Sequence, residues 1–269
     1  MIFTLNEELH LPACLASLDW CDDVIVVDSL SADRSVDISR NAGARVVQRA
    51  FDGFGSQRNW ALESVETRHD WVLILDADER VPREMVRDLS RTLAEVPGEV
   101  AAFRIARRFY LWGRWLRYSS LYPTYVVRLV RRGRVKYINR GHAETQVVDG
   151  EVRLLGIDLI DENLKGIDEW FERQNRYSSR EAEYELEQER APWRPGDLLS
   201  ADPLVRRVCL KRVAASVPGR PVWYFLYSYL VRGGFRDGYE GLIFCLMKSV
   251  YQAMISVKKY DLRQARKRK

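Results

Sequence analysis

The stretch WVLILDAD at residues 71–78 runs from five apolar residues directly into two carboxylates, Asp76 and Asp78. A continuous apolar run of this length predicts a β-strand that is buried on both faces. The aspartates follow the carboxyl end of that strand, which is the edge of an open α/β sheet where ligands bind. An acidic turn without a ligand would give the same letters, but the position after the strand favours a binding site.

Other short apolar runs extend this fold towards the amino terminus. Residues 2–5, 24–27 and 45–48 are expected strands, and helical patterns lie between them. Strands that alternate with helices predict a parallel sheet with crossover helices. Two of the runs end in Asn6 and Asp28, so we expect these side chains at the same sheet edge as Asp76.

Length and composition limit the classes of protein that fit. A chain of 269 residues with 46% hydrophobic residues suits one large α/β domain, or one domain with a helical appendage. Its four cysteines form no CxxC pair, which favours a reducing cytosolic environment. The first ten residues show no signal-peptide pattern, and no 18-residue run is free of charge, so a clean membrane span is not expected.

The carboxyl-terminal third differs in character from the rest. Residues 166–257 are expected to form a helical extension that ends in an amphipathic hairpin rich in Trp, Tyr and Phe. Residues 258–269 hold seven basic residues against one acid and are expected to be a disordered tail. Aromatic residues followed by a basic block suit the surface of an anionic membrane. A helical hairpin packed on the domain is the alternative.

A second basic block lies inside the chain. Residues 100–143 contain eleven Lys and Arg and no acid, and they follow the aspartate pair directly. Such a block suits a phosphate-bearing acceptor, for which Arg128 and Arg131 are candidate ligands. A solvated positive face that pairs partly with acidic residues 181–189 is the other interpretation. No nucleic-acid module signature is present, so nucleic acid is not an expected partner.

Carboxylates at the strand ends suggest two kinds of ligand. Asp76 and Asp78 offer oxygen ligands, which suit Mg²⁺ or Mn²⁺, and such a metal would neutralise a diphosphate leaving group. Asp28 and Asp33 have the spacing to bracket a base and a ribose, although Asp33 would serve equally as a helix N-cap. The polar residues 4–8 would line a nucleotide pocket or merely start a helix.

Three motifs in this order resemble the family 2 inverting glycosyltransferases. They are TLNEE at residues 4–8, VDSLSAD at 27–33 and LDADE at 75–79, and RNWAL at 58–62 resembles the segment between the last two. The likeness covers about residues 1–165. RLVRRG at 128–133, GHAE at 141–144, DENLK at 161–165 and Trp170 look like the lipopolysaccharide core β-1,4-glucosyltransferase branch. That branch commonly has His directly followed by Glu, whereas Ala143 intervenes here.

The resemblance implies a fold and a set of roles. The fold is α/β, with a GT-A-like nucleotide-sugar-binding catalytic domain at residues 1–165, a mostly parallel central sheet and a carboxyl-terminal helical membrane-associating extension. Glu144 is the first candidate for the catalytic base and Asp161 the second. The metal ligands would be Asp78, Asp76 and His142, although a lone histidine is more often structural. Nucleotide-sugar binding falls to Asn6, Glu8, Asp28, Asp33, Arg58, Asn59 and Asp76.

The implied reaction is the inverting transfer of a hexose, glucose above all, from UDP-glucose to a lipopolysaccharide-core or other glycolipid acceptor. It would require Mn²⁺ or Mg²⁺ and take place in the cytoplasm, peripherally on the inner membrane. A sugar nucleotidyltransferase is an alternative, but such enzymes usually open with a glycine-rich phosphate loop, and LNEE stands here instead. A catalytically degenerate nucleotide-binding scaffold on the membrane is another, because of the altered His-Ala-Glu sequence.

Overall fold

A computed structural model describes residues 1–140, 143–190, 206, 209 and 217–268; for residues 139, 140, 143 and 190 it describes the backbone alone. The chain divides into two compact units, Met1–Gly166 and Ile167–Lys269. His142 lies outside the described residues.

The described residues of the first unit form four helices and thirteen strands. The helices are α1 (Leu11–Ala16), α2 (Ser35–Asn41), α3 (Phe54–Ser64) and α4 (Arg83–Ala94). The strands are β1 (Ile2–Thr4), β2 (Ile25–Asp28), β3 (Arg45–Gln48), β4 (Trp71–Leu73), β5 (Leu75–Asp76), β6 (Glu79–Arg80), β7 (Val100–Leu111), β8 (Arg114–Trp115), β9 (Thr124–Arg131), β10 (Val135–Arg140), β11 (Ala143–Val148), β12 (Glu151–Leu154) and β13 (Leu159–Glu162).

A four-stranded parallel sheet carries the amino-terminal motifs. Its strand order is β3-β2-β1-β5, and every neighbouring pair is parallel. Thr4 is paired with Asp28, which is paired with Gln48, while Phe3 is paired with Asp76. The strands therefore end side by side, and the predicted α/β fold with a mostly parallel sheet at its centre is confirmed. The apolar side chains of β1 and β2 are buried because helices cover this sheet.

The apolar run at residues 71–75 is not one strand, as its sequence suggests, but belongs to two sheets. β4 pairs antiparallel with β9, whereas β5 pairs parallel with β1. Between them Ile74 is fully buried and donates its N–H to the carbonyl of Arg128. The segment thus passes from one sheet to the other, and residues 76–78 follow directly on this junction.

The second sheet is mixed and has the order β4-β9-β7-β13-β6, with β8 and β12 paired to β7. The twelve-residue strand β7 lies at its centre. β13 runs parallel to β7 and antiparallel to β6, so Asp161 is directly opposite Glu79. This pairing brings residues more than 80 positions apart together at residues 76–79.

The second unit is helical in its described residues. It contains α5 (Gly166–Arg190), α6 (Arg220–Leu226), a π-helical turn (Tyr227–Val231), a 3₁₀ turn (Gly234–Asp237) and α7 (Gly238–Lys267). Its core contains Trp170, Ala182, Met247, Tyr251 and Ile255. The helical stretch 234–267 is long and apolar enough to cross a membrane by length and composition, although a third of its most apolar window, 33%, is buried inside the protein.

The basic tail is ordered as far as it is described, so the expectation of disorder is wrong. Residues 258–267 are the last turns of α7. The reason is charge pairing with α5, because Lys259 Nζ lies 2.7 Å from Glu185 and Arg263 lies 2.6 Å from Glu189. Lys259 is itself buried, and a buried lysine needs such a partner. The acidic helix therefore pairs with the tail.

Candidate active site at the strand ends

The loops that follow β1 and β2 are joined by hydrogen bonds. The backbone N–H of Asn6 donates to Ser31 Oγ at 2.8 Å, and Asn6 Oδ1 accepts from the N–H of Ala32 at 2.8 Å. Asn6 and Leu30 both have positive φ, 56° and 65°. Left-handed backbone in a non-glycine residue costs energy and is concentrated at functional sites. The two loops therefore form one fixed wall at the sheet edge.

Three predicted donor-binding residues belong to this wall. Asp33 accepts the backbone N–H groups of Glu8, at 3.0 Å, and Ser35, at 2.9 Å. Glu8 accepts from Arg34 Nε at 3.1 Å. Asp33 thus binds the first residue of α2 and also ties this helix to the first loop. The structure brings Asn6, Glu8 and Asp33 together, as the motifs suggest.

Asp28 is fully buried at the end of β2, with 0% exposure. One of its oxygens accepts from the Ser31 hydroxyl at 2.5 Å, and the other accepts from Gln48 Nε2 at 2.9 Å. Through these bonds the carboxylate of Asp28 shapes the loop after β2. A direct contact with a nucleotide would use the lone pairs that these bonds leave.

A buried ion-pair cluster holds Asp76. Arg58 Nη2 donates to one oxygen of Asp76 at 2.7 Å, and Arg128 binds the other oxygen. Arg128 also lies 2.7 Å from Glu79, which is fully buried. Glu79 returns the contact by accepting the backbone N–H of Asp76 at 2.9 Å. The first aspartate of the pair is therefore fixed from three sides.

The two arginines determine the protonation state of Asp76. Burial by itself would raise the pKa of this carboxyl, but Arg128 and Arg58 outweigh it and hold the pKa well below its usual range. Glu79 shows the opposite balance, because burial raises its pKa more than Arg128 lowers it. Asp76 is therefore ionised at neutral pH.

Asp78 has acidic surroundings. Burial, and then the charges of Asp161 and Asp76, raise its pKa well above the usual value. Among the described residues no cation lies within ion-pair distance of Asp78, whereas Asp161 is paired with Arg107 at 3.1 Å. Two neighbouring carboxylates with this little compensation repel each other. The site has an excess of negative charge that a bound cation would neutralise.

Glu144, on β11, is brought to the same cluster. It forms an ion pair with Arg58, the arginine that also binds Asp76. Its second oxygen, Oε2, is buried and has no hydrogen-bond partner among the described residues. A buried polar atom without a partner is uncommon in proteins and requires an explanation, such as a ligand group. Glu144 therefore has one oxygen fixed and one available within the site.

The described residues show no ready-made metal cage of three His, Cys, Asp or Glu side chains. Magnesium sites in proteins often consist of only one or two carboxylates together with substrate phosphates. Asp78, with its raised pKa and the adjoining Asp161, fits that ligand set. The residues present are therefore compatible with a divalent cation that arrives with a diphosphate.

Three residues predicted to bind the donor or the acceptor have partners inside the protein. Arg128 does not face an acceptor, because it is buried between Asp76 and Glu79. Arg131 is paired with Trp71 at the start of β4, packs over its ring at 5.0 Å and donates to the carbonyl of Gly98 at 3.0 Å. Asn59 uses both ends of its amide on the backbone of Tyr137, at 2.8 Å each, and so anchors β10.

Glu79 and Arg107 belong to the site but are not predicted from the sequence. Glu79 is the last residue of the LDADE motif, directly after the two aspartates, and its letters alone indicate no separate role. Arg107 lies 3.1 Å from Asp161 and 3.7 Å from Glu79, and so joins both acids. A charged residue inside a long apolar strand such as β7 was the available signal, because buried charges are almost always paired.

Comparison with known proteins agrees with this geometry. Residues 1–152 match Glycosyl transferase family 2. The lipopolysaccharide core biosynthesis glycosyltransferase LpsC of Rhizobium meliloti is 28% identical over 267 residues, 97% of this chain and 90% of that protein. An uncharacterized glycosyltransferase of Rickettsia bellii is 35% identical over 94 residues, 35% of this chain and 31% of its own.

A solved structure shows the same fold. The mannosyltransferase PcManGT from Pyrobaculum calidifontis, determined in complex with GDP-Man and Mn²⁺, has a TM-score of 0.51 at 17% identity and covers 96% of this chain and 85% of that one. This likeness supports the GT-A type of fold for the catalytic unit. Because the family match spans more than half of the chain, the protein belongs to glycosyltransferase family 2.

Proposed function

We propose that this enzyme transfers a hexose, with glucose as the first candidate, from a UDP-sugar to a lipopolysaccharide-core or other cell-envelope glycan, with inversion at the anomeric carbon. The observation that carries the proposal is the difference between the two aspartates: arginines fix Asp76, while Asp78 stands among acids beside the donor loops. The relative LpsC, named for lipopolysaccharide core biosynthesis, supports the class of acceptor.

Asp78 is proposed to hold a Mn²⁺ or Mg²⁺ ion, with Asp161 beside it and the donor diphosphate as further ligands. When bound, such an ion stabilises the charge that develops on the leaving diphosphate. Asp76, kept ionised by its arginines, is proposed to orient the ribose or the ion. The wall formed by Asn6, Glu8 and Asp33 is proposed to bind the nucleoside.

Glu144 is proposed to be the general base. An inverting transfer needs a carboxylate that takes the proton from the acceptor hydroxyl while this oxygen attacks the anomeric carbon opposite the diphosphate. The ion pair with Arg58 orients Glu144, and the unpartnered Oε2 is the atom that would take the proton. Asp161 is the second candidate, because it lies beside Asp78 at the same sheet edge.

The second unit is proposed to attach the enzyme to the cytoplasmic face of the inner membrane. Val222, Trp223 and Leu230 lie on α6 and the following turn, and each is more than half exposed. Exposed Trp and aliphatic side chains on a short amphipathic segment suit the headgroup region of a bilayer. Since Lys259 and Arg263 are engaged by α5, the apolar side chains, more than the tail charges, carry this proposal.

The first test is thermal unfolding with UDP, GDP and dTDP, each with and without Mn²⁺. A ligand that binds only the native state stabilises it by about 2.7 kcal/mol at a hundredfold excess over Kd. We expect a shift with UDP that depends on Mn²⁺. No shift with any nucleotide would refute the donor class and leave a membrane scaffold as the remaining interpretation.

Replacement of Asp78 by Ala tests the catalytic assignment. We expect transfer from UDP-glucose to hexose-deficient lipopolysaccharide to be lost, together with the Mn²⁺ dependence of the UDP shift. Asp88→Ala on the exposed face of α4 is the matched control and should leave both unchanged. Full activity in Asp78→Ala would exclude the role of Asp78, and net synthesis of UDP-glucose from UTP and glucose 1-phosphate would identify a nucleotidyltransferase instead.

A further inference from the structure

Residues 107–125 combine cations and aromatic rings at a density found nowhere else in this chain. The segment contains four arginines, seven aromatic residues and no acid in 19 positions. It covers the end of β7, the turn 112–113, strand β8 and the loop that leads to β9. The candidate active site described above includes only Arg107 from this segment, so the remaining side chains have no assigned role.

The turn of this hairpin has an unusual residue. Trp112 has φ of 53° and Gly113 has φ of 76°, which are the two left-handed positions of a turn that favours Asn-Gly. A bulky aromatic residue is costly there, and Trp112 gains little burial in return because it is 58% exposed. Among the described residues the non-glycine residues with positive φ are Asn6 and Leu30, in the donor loops, and Trp112 and Leu121, in this segment. Backbone strain of this kind is concentrated at binding sites.

Two hydrogen bonds connect the hairpin turn to the proposed metal-binding aspartate. The N–H of Gly113 donates to Glu162 Oε1 at 3.2 Å. The N–H of Glu162 donates in turn to the carbonyl of Asp78 at 3.1 Å. The turn is therefore held next to the site at which the sugar would leave its diphosphate.

The loop behind the turn is held rigidly. The ring of Trp115 packs against Arg108, Arg117 and Tyr122 with separations of 5.4, 5.5 and 5.2 Å. Asp158 connects Arg108 with Tyr122, since it accepts from Arg108 Nε at 2.9 Å and from the Tyr122 hydroxyl at 2.8 Å. A side-chain frame that is fixed before a ligand arrives reduces the entropy that binding costs.

The outer surface of this segment carries exposed cationic and aromatic side chains. Arg114 and Arg117 are exposed, as is the indole of Trp112. Guanidinium groups bind phosphate and carboxylate in a bidentate manner, and an indole face packs on the apolar face of a sugar ring.

We propose that Trp112, Arg114 and Arg117 form a subsite for an anionic sugar of the acceptor, a ring that bears a phosphate or a carboxylate. This inference rests on the proposed function, whose acceptor it specifies. It replaces Arg128 and Arg131 as the acceptor-binding arginines with Arg114, on the hairpin joined to Asp78, and Arg117, in the loop after it; both are exposed.

The test measures binding and needs no turnover. The probe is the core oligosaccharide released by mild acid from hexose-deficient lipopolysaccharide, titrated calorimetrically into the full-length protein saturated with UDP and Mn²⁺. We expect Arg114→Gln with Arg117→Gln to weaken its binding by about tenfold or more, while UDP affinity stays constant. Arg153→Gln, on an exposed strand that pairs with the opposite half of β7, removes one charge as a control and should change neither.

Trp112→Asn separates binding from folding. Asparagine is favoured in this turn, so the variant should melt no lower than the parent protein. It should bind the oligosaccharide at least fivefold more weakly, because about this much affinity is lost with one aromatic contact. Removal of phosphate from the probe with hydrogen fluoride identifies the anion: loss of the arginine effect indicates phosphate, and its persistence indicates carboxylate. Unchanged binding in both variants, an equal effect of Arg153→Gln, or no binding by the parent protein overturns the proposal. Failure of UDP binding alone contradicts the donor class.

Discussion

Asp76 and Asp78 lie two positions apart in one turn, yet their surroundings have opposite charge. Arg58 and Arg128 hold the pKa of Asp76 low, whereas burial and Asp161 raise the pKa of Asp78. The first carboxylate is therefore fixed in its ionised form by the protein itself. The ionised form of the second carboxylate is destabilised, and a bound cation would remove this destabilisation. The comparison shows that a motif of two identical residues can divide positioning from ligand binding through the side chains behind it.

The largest expected effect tests the Asp76 side of this comparison. Arg128→Met would leave Glu79 buried without its closest cation, and breaking a buried pair in this way costs about 3–5 kcal/mol. Urea unfolding measures the loss. Arg131→Met on the same strand, which removes only a contact with Trp71 and a backbone bond, should cost about 1 kcal/mol. Equal losses in the two variants would contradict the role of Arg128 in holding Asp76 and Glu79.

The next effect concerns Asp78 and has the opposite sign. The pKa of Asp78 in the folded protein lies above the unfolded value of about 3.9. Its contribution to stability therefore falls as pH rises from the unfolded pKa to the folded pKa, and it stays unfavourable at neutral pH. Asp78→Asn should therefore stabilise the unliganded protein by about 0.5–2 kcal/mol at pH 7 while abolishing transfer. The gain should vanish below about pH 3, where the carboxyl is protonated in both the folded and the unfolded state. Destabilisation at pH 7 would contradict the assignment.

The smallest effect is the coupling between Asp78 and Asp161. If these carboxylates repel each other, Asp78→Asn should stabilise the protein less in an Asp161→Asn background than in the parent protein, by about 0.5 kcal/mol or more. A double-mutant cycle of urea unfolding at pH 7 measures this term. Independent effects would show that burial alone raises the pKa of Asp78.

The sequence predicted the parallel sheet because its signals are local. Residues 24–28 show a β-branched run and a terminal aspartate, and these features are sufficient to place Asp28 at the sheet edge. The partners of Arg128 are 49 and 52 positions away, so no local pattern distinguishes it from an exposed arginine. The role of Asn59 was hidden for the same reason, because Tyr137 is 78 positions away.

The basic tail failed as a prediction for a related reason. A block of like charges reads as disordered when considered alone, but the acids that neutralise it lie on α5, 74 positions earlier for both Lys259 with Glu185 and Arg263 with Glu189. Charge blocks at two distant places in a chain are thus better interpreted as a pair. The same applies to residues 71–75, where one apolar run served two sheets.

That shared run has a consequence for how this enzyme can diversify. Because β4 and β5 hold the registers of two different sheets, one residue inserted between positions 73 and 75 would flip the side chains of one sheet to the wrong face. No such double constraint applies to the loops after β1 and β2, to the turn at 112–113 or to the loop between β8 and β9. New specificities are therefore expected to arise by exchange of these loops, while the segment that links the two sheets stays unaltered. Loops grafted in engineered variants should replace these loops and leave residues 71–78 at constant length.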